Sequence, residues 1–171
     1  MNFDVLFGRL HPVVIHFPIA LIVVAAVVEA IRLKWDHPAF PYLVTFLLAT
    51  GAMFALLAST TGWVFAREYY PPPSDAWMLT WHRWLGITTT LLAGVAAVIS
   101  RSLADSQRIQ IRWLRRSVIW LAAIVLIATA HLGALMVWGA DYFDFGVSSE
   151  HHHSHHGRHT DDSQYRDGFH S

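Results

Sequence analysis

Four long apolar runs organise the chain, at about residues 12–33, 42–66, 79–100 and 117–139. Each is long enough to cross a hydrocarbon core, which takes about 20 apolar residues in a helix. A soluble bundle would carry a polar stripe on the outward side of each helix, and such stripes are almost absent here. The pattern predicts an all-α integral membrane four-helix bundle with up-down-up-down topology, formed by residues 1–140. The connections agree: Trp35-Asp36-His37-Pro38 through Pro41 reads as a tight turn, and Tyr69-Tyr70-Pro71-Pro72-Pro73-Ser74-Asp75 as a proline-stiffened loop. No internal sequence repeat is apparent. Residues 141–171 are polar, and their core is the histidine tract His151, His152, His153, His155, His156 and His159. They lack the apolar surface needed to fold and are expected to be a disordered tail.

Composition sharpens this picture. Of 171 residues 54% are hydrophobic and only 14% charged, against about 25% charged in a soluble domain. Trp63, Trp77, Trp81, Trp84 and Trp138 mark one interfacial belt, and Trp35 and Trp113 the other. Seven of the twelve basic residues (Arg32, Lys34, Arg101, Arg108, Arg112, Arg115 and Arg116) fall in or beside the connections between spans one and two and between three and four. By the positive-inside rule that side is cytoplasmic. Both termini are then expected outside a bacterial inner membrane, on its periplasmic face. Asp4 and Arg9 do not make the positive opening of a cleavable signal, so the first run is expected to be a retained span.

The formal net charge of zero gives no sign of a nucleic-acid partner. The absence of cysteine removes disulfides, all-cysteine iron–sulfur clusters, covalent haem attachment through C-x-x-C-H and blue-copper thiolate sites. Any cofactor must be held by histidine, methionine, carboxylate or backbone.

Candidate chemistry therefore rests on His11, His16, His82 and His131, which the threading places in the outer half of the bundle. Ionisable residues at membrane depth are costly and mark functional sites by default. His16 precedes Pro18, which cannot bond back to the Val14 carbonyl and so leaves a polar ring beside a loosened backbone. The alternative is that His16 merely braces this bend. His11, five residues earlier, points about 140° away and reads as an interfacial or capping residue. His82 heads a stripe of Met78, Gly86, Thr90 and Gly94 at four-residue steps, which suits close helix packing or a flat macrocycle. His131 lies roughly 10 Å inside the end of its span and needs a partner, with Thr61 or Thr90 available if it is not a ligand. Glu29 with Arg32 reads as a snorkelling surface pair, and His37 as a solvated turn residue.

The segment Gly8-Arg9-Leu10-His11-Pro12 followed by His16-Phe17-Pro18-Ile19-Ala20-Leu21 resembles the opening of a bacterial family of small membrane proteins, domain of unknown function 2231. Trp81-His82-Arg83-Trp84-Leu85-Gly86 and His131-Leu132-Gly133 resemble its later histidine–glycine positions, and the likeness runs over about residues 5–140. The resemblance implies that His11, His16, His82 and His131 are the family's histidine positions. It also implies redox surroundings, since related domains are sometimes joined to Rieske-type or cytochrome-type modules; this chain carries none.

Three functions compete at this level. The first is one b-type haem held by two imidazoles, His131 with His16 or His82, for electron transfer to a membrane or periplasmic redox partner. The second is handling of Cu, Zn or Ni by the histidine tract and the spans, with Met78 as a soft ligand. The third is a structural or assembly subunit of a redox complex, its histidines capped by carbonyls. No nucleophile–base pair, phosphate loop or carboxylate dyad points to an independent catalytic activity.

Overall fold

The computed structural model describes residues 3–35, 37–67, 76–103, 106 and 108–139. They form six helices: α1 (Phe3–Arg9), α2 (His11–Val14), α3 (His16–Ile31), α4 (Phe40–Phe65), α5 (Ala76–Ser102) and α6 (Ile109–Trp138). No strand occurs among the described residues. The proline loop before α5 and the histidine-rich tail lie outside them.

The subdivision of the first span follows from its prolines. Pro12 has no N–H for the Gly8 carbonyl and Pro18 none for the Val14 carbonyl, so the helical ladder is interrupted twice. The chain steps at Leu10 and Ile15, yet both keep right-handed helical angles (φ −74°, ψ −17° and φ −60°, ψ −26°). Residues Val5–Ile31 thus continue as one rod. With α4, α5 and α6 it makes four helices long and apolar enough to cross a membrane. α6 ends where Gly139 takes a positive φ of 81° and returns its N–H to the Leu135 carbonyl.

Packing divides the bundle into three layers. In the middle, Ile22, Ala25, Val44, Leu48, Ala93, Ala96, Ile119 and Ala122 form a dry core with essentially no exposure. Outward-facing Phe46, Leu56, Leu91, Val98, Ile124 and Ile127 remain exposed, as suits helices whose surroundings are hydrocarbon rather than water. Toward one end a hydroxyl layer holds buried Thr61, Thr89 and Thr129. There Ser59 Oγ meets Thr90 Oγ1 at 3.2 Å and Thr89 Oγ1 meets Thr129 Oγ1 at 3.4 Å. At the other end lies an ionic layer.

That ionic layer corrects the reading of Glu29 and Arg32 as a surface pair. Glu29 is completely buried and accepts from three guanidiniums: Arg32 Nη1 at 2.8 Å, Arg115 Nη2 at 3.2 Å and Arg116 Nε at 3.2 Å. A carboxylate at this depth is tolerated only with such compensation. It clips the end of the first span to the beginning of the fourth.

The fold also contains a twofold repeat that the residue types conceal. Shifting the first two spans by 71 positions superimposes their pattern on the last two. The buried set Pro18, Ile22, Ala25 and Glu29 of α3 maps onto Thr89, Ala93, Ala96 and Ser100, which are the buried residues of α5. Val44, Leu48, Gly51, Ala55 and Ala58 of α4 map onto Arg115, Ile119, Ala122, Leu126 and Thr129, all buried in α6. Identity survives in few places, among them Val24-Ala25-Ala26-Val27 against Val95-Ala96-Ala97-Val98, Leu21 against Leu92, Leu43 against Leu114, Ala52 against Ala123, His11 against His82, and Gly62 against Gly133. The expectation of no repeat is thereby replaced. Two helical hairpins share one register, and burial carries the likeness where residue identity does not.

Candidate functional site

The two histidines that the repeat equates are the two that meet. His11, in the short helix α2, sits between two proline-induced steps and turns inward toward α4. His82 does the same on α5 toward α6. Their ring centroids are 6.4 Å apart with the planes at 86°.

Each ring is held by the same device. His11 Nδ1 lies 2.9 Å from the Ala58 carbonyl and His82 Nδ1 lies 2.9 Å from the Thr129 carbonyl, a sequence separation of 47 in both cases. A carbonyl only accepts, so both Nδ1 atoms donate and the hydrogen of each neutral ring sits there. Nε2 of each ring keeps its lone pair. This is the arrangement usual for ligating histidines, whose other nitrogen is fixed by a carbonyl or carboxylate. Thr61 Oγ1 adds a longer contact to His11 Nδ1 at 3.4 Å, while its hydrogen goes back to the Leu57 or Ala58 carbonyl.

Glycine makes these contacts accessible. A helical carbonyl points along the axis and is overhung by the side chain four residues later. Four residues after Ala58 stands Gly62, and four after Thr129 stands Gly133. A Cβ on Gly62 would lie 2.7 Å from His11 Cε1, and one on Gly133 would lie 3.1 Å from His82 Cε1. Gly62→Ala is therefore expected to displace the His11 ring and destabilise by about 1–3 kcal/mol, with Gly133→Ala milder. Gly94→Ala, with no atom within 4 Å, is expected to be neutral or to stabilise by up to about 1 kcal/mol. Unfolding midpoints of the three variants in detergent check this order.

The other histidines are placed elsewhere. His16 and His131 are both exposed on the outside of their helices, away from the inward-facing pair. The five-residue step between His11 and His16 puts one ring inside and the other outside, as helical geometry requires. Thr61 and Thr90, the partners considered for His131, are engaged with His11 and Ser59. His37 Nδ1 accepts the Ala39 N–H at 3.2 Å within its turn. Met78, one turn before His82 on the same face of α5, is half-buried. His151, His152, His153, His155, His156 and His159 lie outside the described residues. Among the described residues no group of three or more His, Cys, Asp or Glu is placed to hold a metal ion.

One further residue completes this end. Arg83 follows His82, its guanidinium lies 5.0 Å over the Trp63 ring, and its buried Nε has no hydrogen-bond partner. Sequence reading passed over both Arg83 and the His11–His82 pairing. The available signal was the recurrence of a histidine and, 51 residues on, a glycine (11 and 62; 82 and 133).

Residues 9–142 match the family described as "Predicted membrane protein (DUF2231)". No curated protein and no solved structure matches the chain.

Proposed function

The chain belongs to the DUF2231 family of predicted membrane proteins, and on that footing we propose that it is a four-span electron-transfer protein binding one b-type haem between His11 and His82. The topology proposed is up-down-up-down in the bacterial inner membrane. The arginine-rich end is cytoplasmic, and both termini are outside, in accord with the positive-inside rule.

The observation that carries the reading is the paired device: two repeat-related imidazoles, each fixed through Nδ1 and each with Nε2 open. The two ring centroids stand 6.4 Å apart, close enough for both imidazoles to ligate one metal ion at the usual bond length of about 2.0–2.1 Å. His11 and His82, one from each hairpin, would hold the iron through their Nε2 atoms. Arg83, whose buried Nε has no hydrogen-bond partner, would supply a counter-charge for a carboxylate of the cofactor. Haem held by both imidazoles would supply a one-electron couple and would favour electron transfer over oxygen chemistry. The protein's part is to hold both rings in one tautomer, exclude water with the hydroxyl and apolar layers, and keep the site near the outer face for a periplasmic or membrane partner.

A second reading is favoured by Met78. Two imidazole nitrogens with a thioether one turn away also suit Cu(I), with the histidine tract as a capture device. Zn and Ni, which prefer more ligands, fit this pair less well.

The test is the absorption spectrum of detergent-purified protein expressed with ample haem and lacking residues 141–171, as isolated and after dithionite. A Soret band that shifts, with sharp α and β bands on reduction, is the expected result. A colourless preparation that binds Cu(I) supports the second reading. One that binds neither leaves the histidines as braces between spans and overturns both.

A further inference from the structure

At the end of the bundle opposite the histidines, we infer that Arg112, Arg115 and Arg116 with Ser100 form a site for the headgroup phosphate of an anionic phospholipid. The inference rests on the membrane-protein reading but not on haem. Seven basic residues lie at this end (Arg32, Lys34, Arg101, Arg108, Arg112, Arg115 and Arg116), and among the described residues Glu29 is the one acidic residue with them.

Within it, Glu29 is one carboxylate shared by several guanidiniums, so it saturates before their donors do. Arg115 is 97% buried, and its Nε, like that of Arg112, is buried without a partner. The hydroxyl of Ser100, also buried, has none either. Buried donors left open are rare and call for an occupant. Three donors and surplus positive charge at one end of a bundle specify an anion with several acceptor oxygens.

Position selects the source. Arg112, Arg115 and Arg116 occupy the first two turns of α6 and share one face by their spacing of three and four. Arg116 Cζ lies 5.5 Å over the ring of exposed Trp113, a residue type that settles at headgroup level. Basic clefts between spans at this depth suit anionic headgroups. The repeat adds a reason to see specialisation: the counterparts of Arg112, Arg115 and Arg116 are Pro41, Val44 and Thr45, and that of Ser100 is Glu29, so these three arginines have no basic equivalents in the first hairpin.

Native mass spectrometry of the full chain, titrated with phosphatidylglycerol or phosphatidylcholine, tests this. Phosphatidylglycerol is expected to bind about tenfold more tightly, the worth of one or two charge-assisted hydrogen bonds. Arg112→Gln, which leaves the Glu29 ion pairs in place, is expected to erase that preference, and exposed Arg101→Gln to keep it. Equal affinity for the two lipids overturns the proposal, as does an undiminished preference in Arg112→Gln. So does displacement of phosphatidylglycerol by equimolar inorganic phosphate, which would make this a free-anion site.

Discussion

Replacing His11 or His82 with alanine is expected to abolish the low-spin haem spectrum, and replacing His16 or His131 to leave it intact. The prediction follows from where the rings point. His11 and His82 lie beside each other inside the bundle, each held through Nδ1, whereas His16 and His131 are exposed. Because the site has two equivalent halves, either single change should cost both the six-coordinate spectrum and most of the affinity. Exogenous imidazole should restore the low-spin bands in either alanine variant, since it refills the vacated position without disturbing the opposite ring. Spectra of the four variants at equal protein concentration check this. Loss of the bands in His131→Ala with their survival in His11→Ala would assign the ligands differently.

The second large effect is expected at the other end. Glu29→Gln keeps the shape of the side chain but removes the carboxylate shared by the guanidiniums of Arg115 and Arg116. Breaking one side of a buried ion pair costs about 3–5 kcal/mol, because the remaining charge is left uncompensated. The paired change Glu29→Gln with Arg115→Gln should recover part of that loss, since it removes the stranded charge as well. A double-mutant cycle on detergent unfolding midpoints reads the coupling directly. A loss below about 1 kcal/mol for Glu29→Gln, the worth of an exposed pair, would contradict the burial on which this rests.

The sequence makes four membrane-length helices legible because apolar length is a local property, and the structure contains them. It singles out four histidines and pairs His131 with His16 or His82, whereas the structure brings His11 and His82 together. His131 looked deepest by counting along the chain, yet depth along a helix says nothing about which side faces the bundle. On α6 the inward positions are Ile119, Ala122, Leu126 and Thr129. His131 stands two residues past Thr129, about 200° round the helix. Glu29 was misjudged for the same reason: its position near the end of a span suggested water, while its burial depends on Arg115, 86 residues away. The repeat was hidden because membrane packing asks only for small or apolar residues at each contact, so Ile22 and Ala93 fill equivalent positions without resembling each other.

Low-temperature electron paramagnetic resonance of the oxidised, haem-loaded protein tests the central claim most directly, since one spectrum reports both axial ligands and their relative orientation. The carbonyls of Ala58 and Thr129 fix the two imidazole planes at 86°. The expected result is therefore the strongly anisotropic low-spin ferric signal of near-perpendicular imidazoles. A rhombic signal from parallel imidazoles, a high-spin ferric signal, or protein that takes up no haem would contradict it.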